Sequence, residues 1–534
     1  NQQLNLFVTG DNKITDDINI NYVLGYQQYE NNYRRLSAFE ANFTNPDQIF
    51  FNPGNTTGLN STPSGFTSLT RKSGVYGLIN LELYDNILVE LTGRGERVST
   101  LPGAGVIFYP SASIGYKITD LIGADFLNFG KVRVSYGEVG IEANPYATST
   151  TFGPGGTGSS WGDDLAGSLY GNPFAQGTTA GNPNLKEERK SEIEAGFDVR
   201  MFDSRVSLGF TWYDNKTKDV ILALPITPSS GFTNSLQNAA TITNKGIEID
   251  FKADLLRSDD LNVSVNGSFT RNRNVVKDLA GSSYFALNGF TSTSSGIAEG
   301  FPYGVLRSGV YERVVQGDKS SAYVLNSNGF PNAASEKEVG IGDPNPDYRA
   351  GLGLNASYKN FSFSAMFETS QGNDVWNGTY GVLHYMGVHA NTGAKTVNDT
   401  GGTIVNSAGT PIPAGASFRG YLEDFGGGPV AIDSEWWTTN GGGFGDVGEP
   451  FIMDGSWVKL REVTLSYSFD KSLLESIKVN SLVLSVSGRN LFTWTDIEGF
   501  DPENNLTGAS RGRGLEYFSN PGTRSFLTTL RIGF

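Results

Sequence analysis

The last nine residues, Phe526–Phe534, read FLTTLRIGF and describe a strand with two different faces. Successive side chains of a strand point to opposite sides, so residues of one parity share a face. One parity here carries Phe526, Leu530, Ile532 and Phe534, and the other carries Leu527, Thr529, Arg531 and Gly533. The same division into an apolar and a polar face returns in most strand-like segments of the 534 residues. Repeated along a whole chain, it predicts an all-β, closed barrel in lipid with a polar lumen.

Composition is compatible with this interpretation and excludes several others. Hydrophobic residues make up 38% of the chain and the mean hydropathy is −0.27, as expected when only alternate strand residues face lipid. No segment approaches the roughly 18–20 consecutive apolar residues of a transmembrane helix. The absence of cysteine excludes a disulfide framework, and the net charge of −15 argues against nucleic-acid binding. The 68 glycines and 12% aromatic residues suit turns and interfacial girdles.

A single two-faced strand would suit a soluble β-sandwich equally well, and connection lengths decide between the two. Short turns are predicted at 85–86, 202–204, 257–260, 359–360 and 470–476. Long segments, expected to be extracellular loops, are predicted at about 30–70, 138–185, 275–346, 369–455 and 490–522. Short turns at one rim and long loops at the other are typical of outer-membrane barrels, with the short turns on the periplasmic side. We therefore expect about fifteen strands and a C-terminus, Phe534, at the periplasmic rim.

The first residues, Asn1-Gln2-Gln3, lead directly into a strand-like run without a signal peptide. The strand count is odd, whereas bacterial barrels are usually closed and even-numbered. Both observations lead us to expect that the natural beginning of the protein lies outside this sequence.

Six landmarks spread from about residue 70 to the end are similar to the motifs of one family. They are Gly74-Val75-Tyr76-Gly77 with Thr92-Gly93-Arg94 and Ser99-Thr100-Leu101-Pro102; Phe108-Tyr109-Pro110-Ser111; Lys131-Val132-Arg133-Val134-Ser135-Tyr136-Gly137; Gly181-Asn182-Pro183-Asn184-Leu185-Lys186 with Glu188; Asn490-Leu491-Phe492-Thr493-Trp494 with Gly499-Phe500-Asp501-Pro502-Glu503; and Asn520-Pro521 with Arg524 and Phe534. In this order they resemble SusC-like (RagA-like) TonB-dependent outer-membrane transporters of Bacteroidetes.

The resemblance implies a barrel of about 22 strands, of which residues 1–534 supply roughly the last 15. No plug domain, TonB box or N-terminal carboxypeptidase-like domain is visible. The resemblance also implies import of an oligosaccharide or peptide beneath a SusD-like surface lipoprotein. Energy would come from the TonB–ExbB–ExbD complex through the missing plug region. The expected location is the cell outer membrane, in contact with its lipid. The loop residues do not distinguish glycans, glycopeptides and peptides as cargo.

No catalytic, cofactor or metal site is predicted. His384 and His389 lie five residues apart, but no carboxylate or cysteine cluster completes a metal site around them. The glycine-rich run at 151–160 lacks the lysine of a phosphate loop. A calcium site could be suggested by Asp343, Asp347, Asp501 and Glu503, but their neighbours are typical of turns and their spacing is not that of an EF-hand. The chain is therefore not expected to be an enzyme.

Aromatic residues fall into two predicted groups. Those near strand ends are predicted to form membrane-interface belts: Tyr84, Trp212, Trp457, Tyr467 and Trp494. Those in the long segments are candidates for substrate contact, since a flat ring stacks on a sugar or a peptide side chain at low entropic cost: Trp161, Tyr170, Trp376, Tyr380, Tyr385, Trp436 and Trp437. The alternative for this second group is that the rings pack the loops against each other and against a lid partner.

Three rival functions stay open at this point. A passive porin would need no plug domain. A structural barrel would anchor a surface or secretion complex through its long loops. An outer-membrane enzyme would need a catalytic cluster, which the sequence does not offer.

Overall fold

The computed structural model describes residues 1–40, 45, 61–154, 171, 174–439, 446–474, 479–508 and 512–534. Its strands in the first half of the chain are β1 (Gln2–Thr15), β2 (Ile18–Glu40), β3 (Ser61–Leu83), β4 (Ile87–Val98), β5 (Ile107–Lys117), β6 (Leu127–Ile141), β7 (Phe152–Pro154), β8 (Phe174–Gln176), β9 (Thr179–Ala180), β10 (Glu188–Met201), β11 (Val206–Pro225), β12 (Asn234–Arg257) and β13 (Leu261–Asp278).

The remaining strands are shorter on average, because many belong to the long connecting segments. They are β14 (Phe285–Phe290), β15 (Thr293–Ile297), β16 (Val305–Ser308), β17 (Glu338–Gly342), β18 (Tyr348–Tyr358), β19 (Phe361–Gln371), β20 (Asp374–Asn377), β21 (Lys395–Val397), β22 (Ile404–Val405), β23 (Pro411–Ile412), β24 (Ser417–Arg419), β25 (Tyr421–Asp424), β26 (Pro429–Ile432), β27 (Ile452–Asp454), β28 (Trp457–Ser468), β29 (Ser481–Thr495), β30 (Leu515–Glu516) and β31 (Ser525–Gly533).

Helices in the described residues are short. They are α1 (Thr119–Ile122), α2 (Gly378–Tyr385), α3 (Ala390–Gly393), α4 (Ser434–Thr439) and α5 (Lys471–Leu474), with 3-10 turns at Pro228–Ser230 and Glu449–Phe451. None of these described helices has both the length and the hydrophobicity to cross a bilayer.

The long strands form one large sheet of 16 strands, as the alternating pattern predicts. Its order is β1-β2-β3-β4-β5-β6-β10-β11-β12-β13-β18-β19-β28-β29-β31, with β9 paired to β12. With β9 set aside, each of these strands pairs with the strand of this sheet that comes next along the chain. Neighbouring strands such as β3 and β4, or β18 and β19, are antiparallel, with Leu83 opposite Ile87 and Tyr358 opposite Phe361. The short β9 runs parallel to β12.

The chain divides into two compact units. The first comprises Asn1–Tyr116, Arg133–Ile193 and Lys216–Ala240, and the second comprises Lys117–Val132, Glu194–Asn215 and Thr241–Phe534. The first unit has a small core that contains Leu101, Ile107 and Leu185. The second has a larger core in its connecting segments, which contains Phe330, Trp376, Trp436 and Phe451.

Two rows of residues across the second unit show the two faces directly. One row consists of large apolar residues that lie opposite one another on successive strands: Tyr358, Phe361, Tyr467, Leu484 and Leu530. All of these except Tyr467 are exposed. The next row consists of Asn262, Ser357, Ser362, Ser466, Ser485 and Thr529 on the other face. A contiguous exposed apolar surface of this kind requires an apolar environment. The predicted alternation is therefore confirmed in register as well as in sequence.

Tight turns at 85–86, 202–204 and 359–360 lie where the sequence predicts them. Tyr84 and Asp85 have φ values of 52° and 57°, and Lys359 has a φ of 50°. Positive φ values in short hairpin loops match the right-handed twist of the flanking strands. These turns bring consecutive strands together without a linker.

The predicted loop at about 30–70 has different bounds in the structure. β2 and β3 stay paired from Ile18 opposite Leu83 to Glu40 opposite Ser61. Residues 30–40 and 61–70 are therefore strand, not loop. Backbone hydrogen bonds hold a ladder together even where neither face is apolar, so the hydrophobic period ends before the strand does.

Candidate binding site

The polar face of the second unit contains a wall of aligned side chains from four neighbouring strands. Thr270, Arg349, Ser370 and Trp457 stand opposite one another in one row. The adjacent row of the same face includes Ser268, Gly351, Glu368 and Lys459. Because each residue is fixed by strand register, the side chains leave the wall in defined directions.

A β-bulge at Arg461 determines which residues of β28 belong to this wall. Met366 stands opposite Glu462 and Phe367 opposite Leu460, so Arg461 is an extra residue relative to β19. The bulge changes the parity of β28 at this point. Val458 and Leu460 therefore share a face with Val463 and Leu465, while Trp457 and Lys459 join the polar face.

This bulge corrects the prediction for Trp457. Simple alternation places Trp457 with Val463 and Tyr467 and hence in a membrane-interface belt. In the structure Trp457 is only 8% exposed and lies on the polar face, beneath two cations. Lys459 Nζ is 5.3 Å and Arg461 Cζ is 5.0 Å from the centre of a Trp457 ring.

An ion-pair network joins this wall to the segment that follows β29. Lys459 Nζ lies 2.6 Å from both the Asp501 and the Glu503 carboxylates, and its side chain is 3% exposed. Arg461 bridges Glu503 and Glu368, with its Nε 2.6 Å from Glu368 Oε2. Burial alone would raise the pKa of Glu503, but hydrogen bonds from Arg461 and Lys459 outweigh it and hold this pKa below its usual value. The Gly-Phe-Asp-Pro-Glu motif, residues 499–503, therefore holds the segment after β29 to the polar face of β28.

A cavity of about 680 Å³ lies between the wall and two connecting segments. The wall contributes Thr270, Arg349, Glu368, Trp457 and Arg461. The connecting segments contribute residues 344–346, 502–505, 508 and 513–514. A polar cavity of this size accommodates a few residues of an oligomer, and its many hydroxyl, amide and guanidinium groups offer hydrogen bonds to one.

Most of the predicted substrate-contacting tryptophans are buried in the second unit's larger core. Trp376, Trp436 and Trp437 are 1%, 2% and 5% exposed. The ring of Trp436 lies 5.0 Å from Phe330 and 6.0 Å from Tyr311. For these three residues the packing alternative matches the structure, and their position offers no surface to a ligand. Trp161 and Tyr170 lie outside the described residues.

Tyr380 and Tyr385 belong to α2 and differ from the tryptophans. Tyr385 is exposed, whereas Tyr380 is half-buried against His384, with ring centres 4.1 Å apart. The two histidines stack at 4.1 Å, and His384 also contacts Trp437 at 4.5 Å. The pKa of His384 is lowered to about 4, mainly by burial and to a smaller extent by the nearby His389, against the opposing effect of a hydrogen bond to the Tyr380 carbonyl. His384 is therefore a neutral core residue.

The other predicted interface aromatics lie on or beside the apolar strand face. Tyr84 is in a tight turn and is 63% exposed, and Trp494 is 51% exposed. Trp494 stacks near Phe492, with ring centres 5.9 Å apart. Trp212 is partly exposed, Tyr467 lies 4.8 Å from Phe361, and the terminal Phe534 is exposed. Their role at a membrane interface stays a prediction.

Within the described ranges, no group of three or more histidine, aspartate and glutamate side chains is arranged to hold a metal ion. Asp501 and Glu503 bind Lys459 instead.

The sequence reasoning missed four cations of the site: Arg349, Lys459, Arg461 and Arg513. The two acidic residues of the Gly-Phe-Asp-Pro-Glu motif could have indicated Lys459 and Arg461, because carboxylates that are packed against a strand are stabilised by cations on that strand. Nothing in the local sequence around Arg349 or Arg513 distinguishes them from other exposed arginines.

Comparison with known proteins places the chain among relatives of one kind. The family model described as "TonB dependent receptor-like, beta-barrel" matches residues 1–491. TonB-dependent receptor P3 of Formosa agariphila is 27% identical over 503 residues, which cover 88% of this chain and 46% of that protein. TonB-dependent receptor SusC of Bacteroides thetaiotaomicron is 24% identical over 465 residues, which cover 80% and 41%.

A solved structure shows the same fold. The alignment with the structure of the RagAB peptide transporter has a TM-score of 0.74 at 18% identity, and it covers all of this chain and 55% of that one. The chain thus spans about half the length of the proteins it matches.

Proposed function

The chain belongs to the TonB-dependent receptor β-barrel family of the outer membrane, which comprises transporters and not enzymes, and we propose on this premise that it forms the substrate pathway of an energised importer. In this proposal residues 1–534 supply the C-terminal part of the barrel. The proposal assigns the remaining strands and a plug to the more than half of the relatives' length that this chain does not match.

The observation that carries the proposal is the separation of faces. Large apolar residues such as Phe361 and Leu484 lie in a row on one face of the sheet, and serines such as Ser362 and Ser485 lie in a row on the other. The proposal assigns the first face to lipid and the second to the lumen. A wall of small hydroxyls makes weak and multiple hydrogen bonds, which let a polar substrate pass without trapping it.

We assign the long connecting segments to the cell surface and the tight turns, with Phe534, to the periplasmic side. The similarity to SusC and to the RagAB peptide transporter supports a SusD-like lipoprotein as the partner on the surface. The cargo is an oligosaccharide or a peptide, and the TonB–ExbB–ExbD complex supplies the energy. Tyr385, which is exposed, and the half-buried Tyr380 remain candidates for substrate contact from α2.

Uptake in cells tests the proposal. Deletion of the gene is expected to abolish import of one class of fluorescently labelled oligosaccharide or peptide, and deletion of TonB is expected to have the same effect. Import that depends on this gene but survives the loss of TonB would indicate a passive porin. Unchanged import of every probe after deletion of the gene would leave only a structural role.

A further inference from the structure

We propose that the 680 Å³ cavity is a binding site for a carboxylate group of the substrate, held by Arg349 and Arg513. The inference rests on the proposed import function and adds a substrate class to it, namely acidic oligomers. The cavity walls carry five charged residues, which are Arg349, Glu368, Arg461, Glu503 and Arg513.

Both carboxylates of the cavity are already paired. Glu368 binds Arg461, and Glu503 binds Arg461 and the buried Lys459. Together with Asp501, which also binds Lys459, they form a network of three carboxylates and two cations. Arg349 and Arg513 add two positive charges without an acidic partner of their own, so the four cations and three carboxylates leave one net positive charge.

Arg349 is the first of the two uncompensated cations. Strand register fixes it on the polar face between Thr270 and Ser370. Its side chain is exposed and, among the described residues, it forms no hydrogen bond or ion pair. A guanidinium held on a rigid strand is well placed to receive a carboxylate in the bidentate geometry that this group prefers.

Arg513 is the second, and it comes from a connecting segment. Its Nη1 donates a long hydrogen bond of 3.4 Å to Asn345 Oδ1, and it has no acidic partner in the described part of the chain. Asn345 is itself fixed, because its amide nitrogen donates to the Tyr303 carbonyl and to Asp343 at 2.8 Å. This leaves most of the guanidinium donors of Arg513 available.

The backbone beside Arg513 is shaped to bring it to the cavity. Gly514 has a φ of 72°, and a Cβ built there would lie 2.6 Å from Pro344 Cβ. Only glycine combines this conformation with so close an approach. The segment therefore packs directly on Pro344, which also lines the cavity.

Two uncompensated arginines in one cavity are unusual for a chain with a net charge of −15. A concave polar site with a net positive charge concentrates anionic ligands. The ligand chemistry is a carboxylate, which a uronic-acid sugar or an acidic peptide would supply.

Calorimetric titration of the full-length protein, purified from outer membranes in detergent, tests this assignment. The probes are trigalacturonate against neutral maltotriose, and a glutamate-rich pentapeptide amide against its glutamine counterpart. We expect the acidic member of one pair to bind more tightly than its neutral counterpart, and that pair identifies the source of the carboxylate. Arg349→Gln and Arg513→Gln are each expected to weaken this binding about tenfold or more, the size of one charge-assisted hydrogen bond.

Lys252→Gln is the matched control, because Lys252 is an exposed cation that does not line the cavity. It should leave the affinity unchanged, and Arg349→Lys, which keeps the charge but not the bidentate geometry, should restore only part of what Arg349→Gln loses. Heat-modifiable gel mobility checks that each variant is folded. Equal binding of acidic and neutral probes, or acidic binding that neither arginine variant weakens, would overturn the assignment. If deletion of the gene abolishes uptake but no acidic probe binds, the cavity assignment fails and the importer stands.

Discussion

The Lys459 ammonium lies 2.6 Å from the Asp501 carboxylate, and with its side chain 3% exposed it has almost no contact with water. Glu503 lies at the same distance from this ammonium. A buried cation of this kind depends on its anionic partners, since desolvation without them would cost several kcal/mol. The pair therefore holds the segment after β29 to the polar strand face, where it forms one side of the cavity.

Removal of the ammonium is expected to release this segment. In Lys459→Met, Asp501 and Glu503 lose a shared cation, and the loss of one partner from a buried pair costs about 3–5 kcal/mol. Hydrogen exchange of residues 496–508 in the detergent-solubilised protein should increase accordingly. The control is Arg489→Met, which breaks a pair with Glu462 whose side chains are 57% and 36% exposed. That pair is worth at most about 1 kcal/mol. Equal effects of the two substitutions would contradict a tethering role for Lys459.

Trp436 is expected to support the fold of the connecting segments and not to contact cargo directly. Its ring packs against Phe330, Tyr311 and Phe425 in the core of the second unit. Trp436→Ala should destabilise this core by about 3–5 kcal/mol, measured as faster hydrogen exchange of residues 305–342. Tyr385→Ala removes an exposed ring and should leave the same exchange unchanged. A Trp436→Ala protein with normal exchange and impaired cargo affinity would instead favour direct contact.

The stability of α2 is expected to depend on pH through His384. Its pKa is about 4 in the folded protein, below the ordinary histidine value of about 6.5. The unfolded segment therefore binds more protons between these values, so stability is complete above pH 6.5 and falls as the pH drops towards 4. Hydrogen exchange of residues 378–394 should rise over this range, after correction for the intrinsic pH dependence of exchange. His384→Phe keeps an aromatic ring in the stack and should remove the extra dependence. Its persistence in that variant would assign the titration to another group.

Trp494 and Trp457 are expected to differ in their access to lipid, since β28 and β29 present them on opposite faces. In vesicles that contain brominated acyl chains, tryptophan fluorescence is quenched when the ring lies in the bilayer. Trp494→Phe should reduce the quenchable fraction, because Trp494 is exposed on the apolar face beside Phe492. Trp457→Phe should not, because Trp457 lies beneath Lys459 and Arg461. A comparable loss in both variants would mean that the Trp457 ring reaches lipid.

The strand pattern could be predicted from sequence because the two faces require opposite chemistries. Positions such as Leu465 and Ser466 alternate for a physical reason, and the register confirms it. The bulge at Arg461 could not be predicted, since an extra residue leaves no mark except a break in parity that resembles ordinary variation. The burial of Trp376 and Trp436 could not be predicted either. An aromatic residue in a long loop packs inside it or faces a ligand according to distant contacts, such as that of Trp436 with Phe330. The meeting of Arg349 and Arg513 in one cavity could not be predicted without the fold, because the two residues are 164 positions apart in the chain.

The side chain of Arg461 is expected to matter more than the extra length that it gives β28. Deletion of Arg461 would place Leu460 directly before Glu462, and simple alternation would then keep Trp457 and Lys459 on the face of Glu462, opposite to that of Val463 and Leu465. Lys459 would stay beside Asp501 and Glu503, and the deletion would remove the Arg461 bonds to Glu368 and Glu503.

A matched substitution tests this expectation. Arg461→Ser keeps the residue count and removes the bonds to Glu368 and Glu503 together with the contact of the guanidinium with the Trp457 ring. We expect the deletion and Arg461→Ser to retain similar heat-modifiable, folded fractions in outer-membrane preparations, because both variants keep Trp457 and Lys459 on the polar face. A deletion that folds much less than Arg461→Ser would contradict this, and the extra residue would then be required for the local bend and twist that a bulge gives to the sheet.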